Sequence, residues 1–419
     1  MSTQIRRPLG GFERVFWLLN QKRPVHFAVV AEVSGTLPVE TWENALTAVQ
    51  QQHPLLSVSI QLNENKAPEF VTQSTIKIPL RIVTTTSATA WITDVEQEAV
   101  NRFHAASAPL TRVVLYEYKN KTVIALWAHH AIADGRSLSY VMRDLLNATN
   151  GIYGSPYAMP PSIDDFTDLP KDTLSQFPAG DGDIALHNQA PEVLNTKMQI
   201  QLLKLPPELS RHIIQRAKEE GTTVHGAFSA ALILAGNAWK PQPIRIFTPS
   251  SARETLGTAE TLNLCTAGRV IPFNIETGSS FWDIARYAKQ KLIGINLEDE
   301  ILGFAKSISG LIQSGINAEG IEQFTDTALA NEYMLTNIGV LPFSTDFGKL
   351  QLEAFWGPLT ITGYKDSESV SIATIDGVIH MTLLSLGHQQ VNQVLEFMEQ
   401  ILIMACSPMS NLKQVQNIL

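Results

Sequence analysis

In the 419-residue chain, Trp127-Ala-His-His-Ala-Ile-Ala-Asp-Gly-Arg-Ser137 sets two histidines, an aspartate and a glycine at the end of an apolar segment. A histidine with a pKa near ~6.5 is a competent general base at neutral pH. The aspartate four residues on serves equally well to hold a turn. Adjacent histidines at a strand end point to opposite sides, so a given cleft meets only one of them. Zinc fits poorly: neighbouring histidines on one strand cannot share an ion, and the chain has no HExxH or paired CxxC spacing.

The elements around this stretch must position it. Thr122 to Ala128 is a continuous apolar run with β-branched and aromatic residues, which reads as a buried central strand. Leu138, Val141, Met142, Leu145 and Leu146 share one helical face, so a helix is expected from about Ser137, with that serine as its N-cap. The histidines then sit where a strand ends, and Asp134 and Gly135 turn the backbone toward the helix.

Hydrophobic residues make up 44% of the chain and charged residues 17%, a balance that can bury a large core. The net charge of −9 comes with no basic stripe, which argues against a nucleic-acid partner. Cys265 and Cys406 are the two cysteines and have no motif spacing, so both are expected reduced. No signal peptide or membrane-spanning run is visible, and a cytoplasmic monomer is expected.

The periodicity predicts a short helix over Gly11 to Leu19 with Phe12, Val15, Phe16 and Leu19 on its apolar side, then a strand over Val25 to Val33. A helix from Pro38 to Gln52 stops at His53-Pro54, where His53 reads as a cap or packing residue. Strands over 76–83 and 111–118 bracket a helix from Trp91 to Phe103, and the second strand forms a hairpin with the one ending at His129. Three units are expected: 1–150, a crossover linker over 151–195 that wraps one subdomain and lines the cleft mouth, and 196–419. In the last unit, Thr222 or Thr223 caps an alanine-rich helix running through Ala238. His225 in its first turn either packs or faces a cleft. The chain is expected to close with a strand over 377–384 and a helix over 389–405.

His129-His130-x-x-x-Asp134-Gly135 resembles the HHxxxDG signature of the CoA-dependent acyltransferase superfamily, which includes chloramphenicol acetyltransferase, plant BAHD acyltransferases, nonribosomal peptide condensation domains and polyketide-associated acyltransferases. The resemblance implies an α/β fold of two similar chloramphenicol-acetyltransferase-like subdomains with mixed sheets and an active-site tunnel between them. It makes His130 the general base, with His129 and Gly135 structural, and turns Asp134 away from substrate to pair with an arginine. Arg253, directly after the strand over 243–249, is the expected partner and Arg269 its competitor. Thr336 and Asn337 lie in a segment similar to the SNIG-like segment of the polyketide-associated branch, where they either contact an oxyanion or substrate or cap a strand. The DFGWG motif of plant relatives is broken here, with Asp346-Phe347-Gly348 separated from Trp356-Gly357.

The implied activity moves an acyl group from a thioester to a hydroxyl without a covalent acyl-enzyme, in lipid, polyketide or secondary metabolism. The cosubstrate is acyl-CoA or an acyl-carrier thioester, the acceptor a small alcohol or amine, and no cofactor is held permanently. An acyl carrier protein is the macromolecular partner the resemblance implies. Two other readings stay open: an amide-forming condensation enzyme, and a non-catalytic relative that binds a carrier protein.

Overall fold

Two mixed six-stranded sheets carry the fold. They belong to a computed structural model that describes residues 4–407 apart from 74, 172, 190–196, 238–239, 241, 259, 275–278, 362–366 and 387–390. The end of the expected crossover linker, Ala238 and the first residues of the expected terminal helix fall outside the described residues.

The first sheet has the spatial order Asp346–Phe347, Leu350–Thr360, His26–Ser34, Lys121–His129, Thr111–Tyr118, Leu80–Thr84. Lys121–His129 is central, as its unbroken apolar run requires: residues 122–129 are buried, and His129 lies opposite His26 in antiparallel register. The hairpin to Thr111–Tyr118 turns through Lys119 in the left-handed region. The second sheet has the order Thr266–Phe273, Ile244–Ser251, Tyr333–Val340, Glu368–Ile375, Val378–Leu386, Met198–Lys204. Each sheet holds its own apolar core, the second one packed around the helix Val224–Gly236.

Some expected boundaries move, each for a local reason. The helix expected over 91–103 stops at Glu98, because the Arg112 guanidinium takes the Glu98 and Asn101 carbonyls and ends it. The strand expected over 76–83 begins only at Leu80, because the Gln50 side chain holds the Ile76 carbonyl and the Ile78 amide. The sheets also do not divide where the linker does. Leu350–Thr360, from the last third of the chain, pairs with His26–Ser34 inside the first sheet.

The linker runs behind the site instead of at its mouth, since none of its described residues lines the cavity. It braces the helix Gly11–Leu19 from outside: Asp164 accepts the Gly11 amide at 2.8 Å, Arg14 donates to the Phe177 carbonyl at 2.7 Å, and the Trp17 indole donates to His187 Nδ1 at 3.1 Å. Among the described residues no helix is long and apolar enough to cross a membrane.

Candidate active site

The central strand delivers its two histidines to opposite fates. His129 is fully buried, and its Nδ1 accepts the Ala131 amide at 3.1 Å, which fixes the turn. Burial, and then the neighbouring His130, push its pKa down to about 3, so it stays neutral. His130 stands on the wall of a cavity of about 630 Å³ lined by residues from both halves of the chain.

The His130 ring is held on three sides. Its Nδ1 lies 2.8 Å from the Ala133 carbonyl. A carbonyl only accepts, so Nδ1 carries the proton and Nε2 keeps its lone pair. Phe16 stacks on the ring at 4.1 Å with an interplanar angle of 9°, and Phe27 tilts against it at 4.7 Å. Burial between these rings holds the pKa below the ordinary histidine value, against the opposing pull of its backbone hydrogen bonds and the Asp134 charge. The result is a neutral imidazole at physiological pH with its basic nitrogen unspent.

Asp134 caps the helix Gly135–Thr149, three residues before the expected cap Ser137. Its Oδ1 accepts the Ser137 amide at 2.8 Å, and the Ser137 hydroxyl accepts the Asp134 amide at 3.0 Å, so the aspartate satisfies a donor that a serine cap at 137 would have left to water. Its Oδ2 receives Arg253 Nη2 at 2.7 Å and the Cys265 amide at 2.9 Å. Three of the carboxylate's four acceptor directions are thereby taken, none of them by His130. Arg253 follows the strand Ile244–Ser251 and also donates to the Asn263 carbonyl at 2.9 Å, which the Ser137 hydroxyl shares at 2.9 Å. Arg269 turns elsewhere, to Glu300 and the Lys291 carbonyl.

Gly135 has a steric reason. A Cβ there would stand 2.6 Å from Cγ of Pro358, on the strand that crosses from the second half. Thr336 and Asn337 lie on Tyr333–Val340 and line the cavity. Asn337 Oδ1 accepts the Gly339 amide at 2.8 Å, which leaves the Nδ2 donor for the cavity, while the Thr336 hydroxyl has no hydrogen-bond partner among the described residues. His53 lies away from the cavity: fully buried, it accepts the Leu262 amide at 3.1 Å and holds Asp144 at 2.9 Å, tying the loop before Asn263 to the first half. His225, by contrast, faces the cavity. Burial pushes the Cys265 thiol up to about 11 and raises that of Cys406, so neither supplies a thiolate at neutral pH.

Several lining residues carried no signal in the sequence. Phe12 and Phe16 read only as the apolar side of a helix, and Phe304 and Pro358 read as nothing in particular. Phe304 sits edge-on to Phe12 at 5.5 Å and Phe12 lies 5.1 Å from Phe16, so aromatic rings continue unbroken from the helix Glu298–Gln313 to His130. The cue was the i, i+4 spacing of Phe12 and Phe16, which puts both rings on one face.

A family model for the condensation domain matches residues 16–300. Among curated proteins the chain is 27% identical over 182 residues to polyketide synthase PksN of Bacillus subtilis (strain 168), a match that covers 40% of this chain and 3% of that protein. Among solved structures, trichothecene 15-O-acetyltransferase TRI3 from Fusarium sporotrichioides superposes with a TM-score of 0.69 at 12% identity, covering 96% of this chain and 95% of that one. Polyketide synthase associated protein 5 from Mycobacterium tuberculosis superposes at 0.65 and 17% identity, covering 96% and 97%. At these identities the structural likeness is one of fold, mixed α/β with two similar subdomains.

Proposed function

Because the chain belongs to the condensation-domain family, we propose that it transfers an acyl group from a thioester, acyl-CoA or acyl-carrier-bound, to a hydroxyl acceptor. His130 acts as the general base. The observation that carries this reading is the state of its ring: neutral, pinned through Nδ1 to the Ala133 carbonyl, with Nε2 left to the cavity. Nε2 takes the acceptor's proton as its oxygen attacks the thioester carbonyl. The new C–O bond forms, the C–S bond breaks, and the proton passes from His130 to the departing thiolate. The Asn337 amide and the Thr336 hydroxyl, on the cavity wall, are the donors that meet the oxyanion of the tetrahedral intermediate. Asp134 and Arg253 hold the two halves in register and take no part in proton transfer. The likeness of fold to a trichothecene 15-O-acetyltransferase supports an O-acyl product, and the similarity to a polyketide synthase supports a thioester donor from secondary metabolism.

The test is a screen of acyl-CoA donors against pooled alcohols and amines with mass detection of products, run beside His130→Ala. The expected result is a His130-dependent ester, with transfer lowered about 10²- to 10⁴-fold in the variant. Near-normal turnover by a folded His130→Ala protein would overturn the mechanism.

A further inference from the structure

The cavity lining carries two chemically different sets of side chains. On the His130 side, Phe12, Phe16 and Phe304 present a run of rings suited to an acyl chain. Elsewhere on the lining, His225, Thr223, Thr248, Ser250 and Thr266 supply polar, uncharged groups. His225 lies in the first turn of the helix Val224–Gly236, and its Nε2 is 3.3 Å from the Thr248 hydroxyl on the neighbouring strand. Its Nδ1 has no partner among the described residues and is not sealed by protein, so a molecule in the cavity can reach it. Burial pushes the His225 pKa down to about 4, which keeps the ring neutral, able to donate at one nitrogen and accept at the other. Nothing in the acyl-transfer reading uses this second histidine.

Charge narrows what meets it. Among the described residues two carboxylates, Asp134 and Glu254, and three cations, Arg23, Arg136 and Lys289, line the cavity; the cations are engaged by Asp326, the Tyr140 hydroxyl and the Gly221 carbonyl in turn. Asp134 is committed to Arg253, the Cys265 amide and the Ser137 amide, and the Glu254 side chain is 89% exposed beside Arg136. An amine acceptor, cationic at neutral pH, would enter without a buried counter-charge, whereas a hydroxyl compound enters neutral.

We propose that His225 and Thr248 form the acceptor-binding side of the cavity, and that the acceptor is an uncharged molecule with at least two hydroxyl groups, one presented to His130 and another hydrogen-bonded to His225. The proposal rests on the acyl-transfer reading for the role of the first hydroxyl, while the second contact is a binding site in its own right. A buried polar group matched to a substrate hydroxyl discriminates strongly against the analogue that lacks it, because that group is then left unpaired.

The experiment has two arms. In the first, thiol release from hexanoyl-CoA is followed with α,ω-diols of three to six carbons and with the mono-alcohols of the same length. At least one diol should exceed its mono-alcohol by about 10-fold or more in kcat/KM. His225→Phe and Thr248→Val should each erase that preference through the acceptor KM and leave the donor KM in place, and His225→Asn, whose side-chain amide puts a hydrogen-bonding atom near the place of the ring Nδ1, should restore part of it. In the second arm, the imidazole carbon resonances of labelled protein, assigned through His225→Phe, are followed on titration with the same compounds; the His225 signal should move with the diol and not with the mono-alcohol. Equal loss for diol and mono-alcohol, a rise in donor KM, a wild-type preference for amines, or a silent His225 signal overturns the proposal. A diol-dependent shift at His225 in a protein with no His130-dependent thiol release would leave this site standing and remove the acyl-transfer reading instead.

Discussion

Asp134 Oδ2 and Arg253 Nη2 meet at 2.7 Å across 119 positions of sequence, each side chain in a residue 5% exposed. Both charges are out of water, so removing one leaves the other buried without its counter-charge, at a cost of about 3 to 5 kcal/mol. Asp134→Ala and Arg253→Ala should each lower the denaturant midpoint substantially. The double variant should lose clearly less than the sum of the two, because both singles break the same contact. Strict additivity across the four proteins would mean that the two residues stabilise the fold separately.

Activity should follow the ionisation of His130. Burial holds its pKa below the ordinary 6.5, so kcat/KM should climb along an acid limb centred under that value and be flat through neutral pH, where the base is already unprotonated. Phe16 supplies one of the two aromatic faces. Phe16→Ala admits water, weakens the desolvation and should move the limb upward toward 6.5. An unmoved limb would show that the titrating group is another residue.

Gly135→Ala should be costly out of proportion to one methyl. The new Cβ would sit 2.6 Å from Pro358 Cγ and 3.1 Å from its Cβ, and overpacking of this kind costs roughly 1 to 3 kcal/mol. Thermal melting and thiol release should fall together, because the strain lands on the turn that aims His130.

The cysteines should be dispensable. Cys265→Ser and Cys406→Ser should retain most activity, and intact-mass measurement of wild-type protein with donor alone should find no acyl adduct. A trapped acyl-cysteine would replace direct transfer with a two-step scheme.

Acid should unfold the protein through its buried histidines. His129 is held down to about 3 and His187 and His380 to about 4, against 6.5 when unfolded. Between 6.5 and 4 the unfolded chain binds protons that the folded chain refuses, so the stability present above 6.5 drains away as pH falls, at up to roughly 1.4 kcal/mol per pH unit for each group. His187→Gln should flatten that slope by about one such share, read from urea midpoints across the range.

The centre of the site is legible in the sequence because its elements are local. An apolar run must be a buried strand, and the residues that follow must turn, so the placement of His129, His130, Asp134 and Gly135 needs no distant information. The Asp134 to Arg253 contact is legible only through family resemblance, since no local pattern ties a strand end in one half to a turn in the other. Phe304, Pro358 and Thr248 are illegible for a stronger reason: their side chains are ordinary, and position alone makes them part of the cavity. His225 and His53 look alike in sequence, each beside a helix terminus, and tertiary packing sends one to the cavity and the other into the interior.

The strand Leu350–Thr360 has a consequence for how the chain is born. On the ribosome, His26–Ser34 emerges with an outer edge whose partner does not yet exist. Trp356, which hydrogen-bonds Glu32, is 324 positions downstream, on the order of 15 to 65 s of synthesis at ordinary elongation rates. During that interval the first sheet offers an unpaired apolar edge to any neighbouring chain. The first sheet is therefore incomplete without that strand: a nascent chain arrested before residue 350 should depend on chaperones for its solubility, and protease resistance should appear in one late step, when the returning strand closes the sheet.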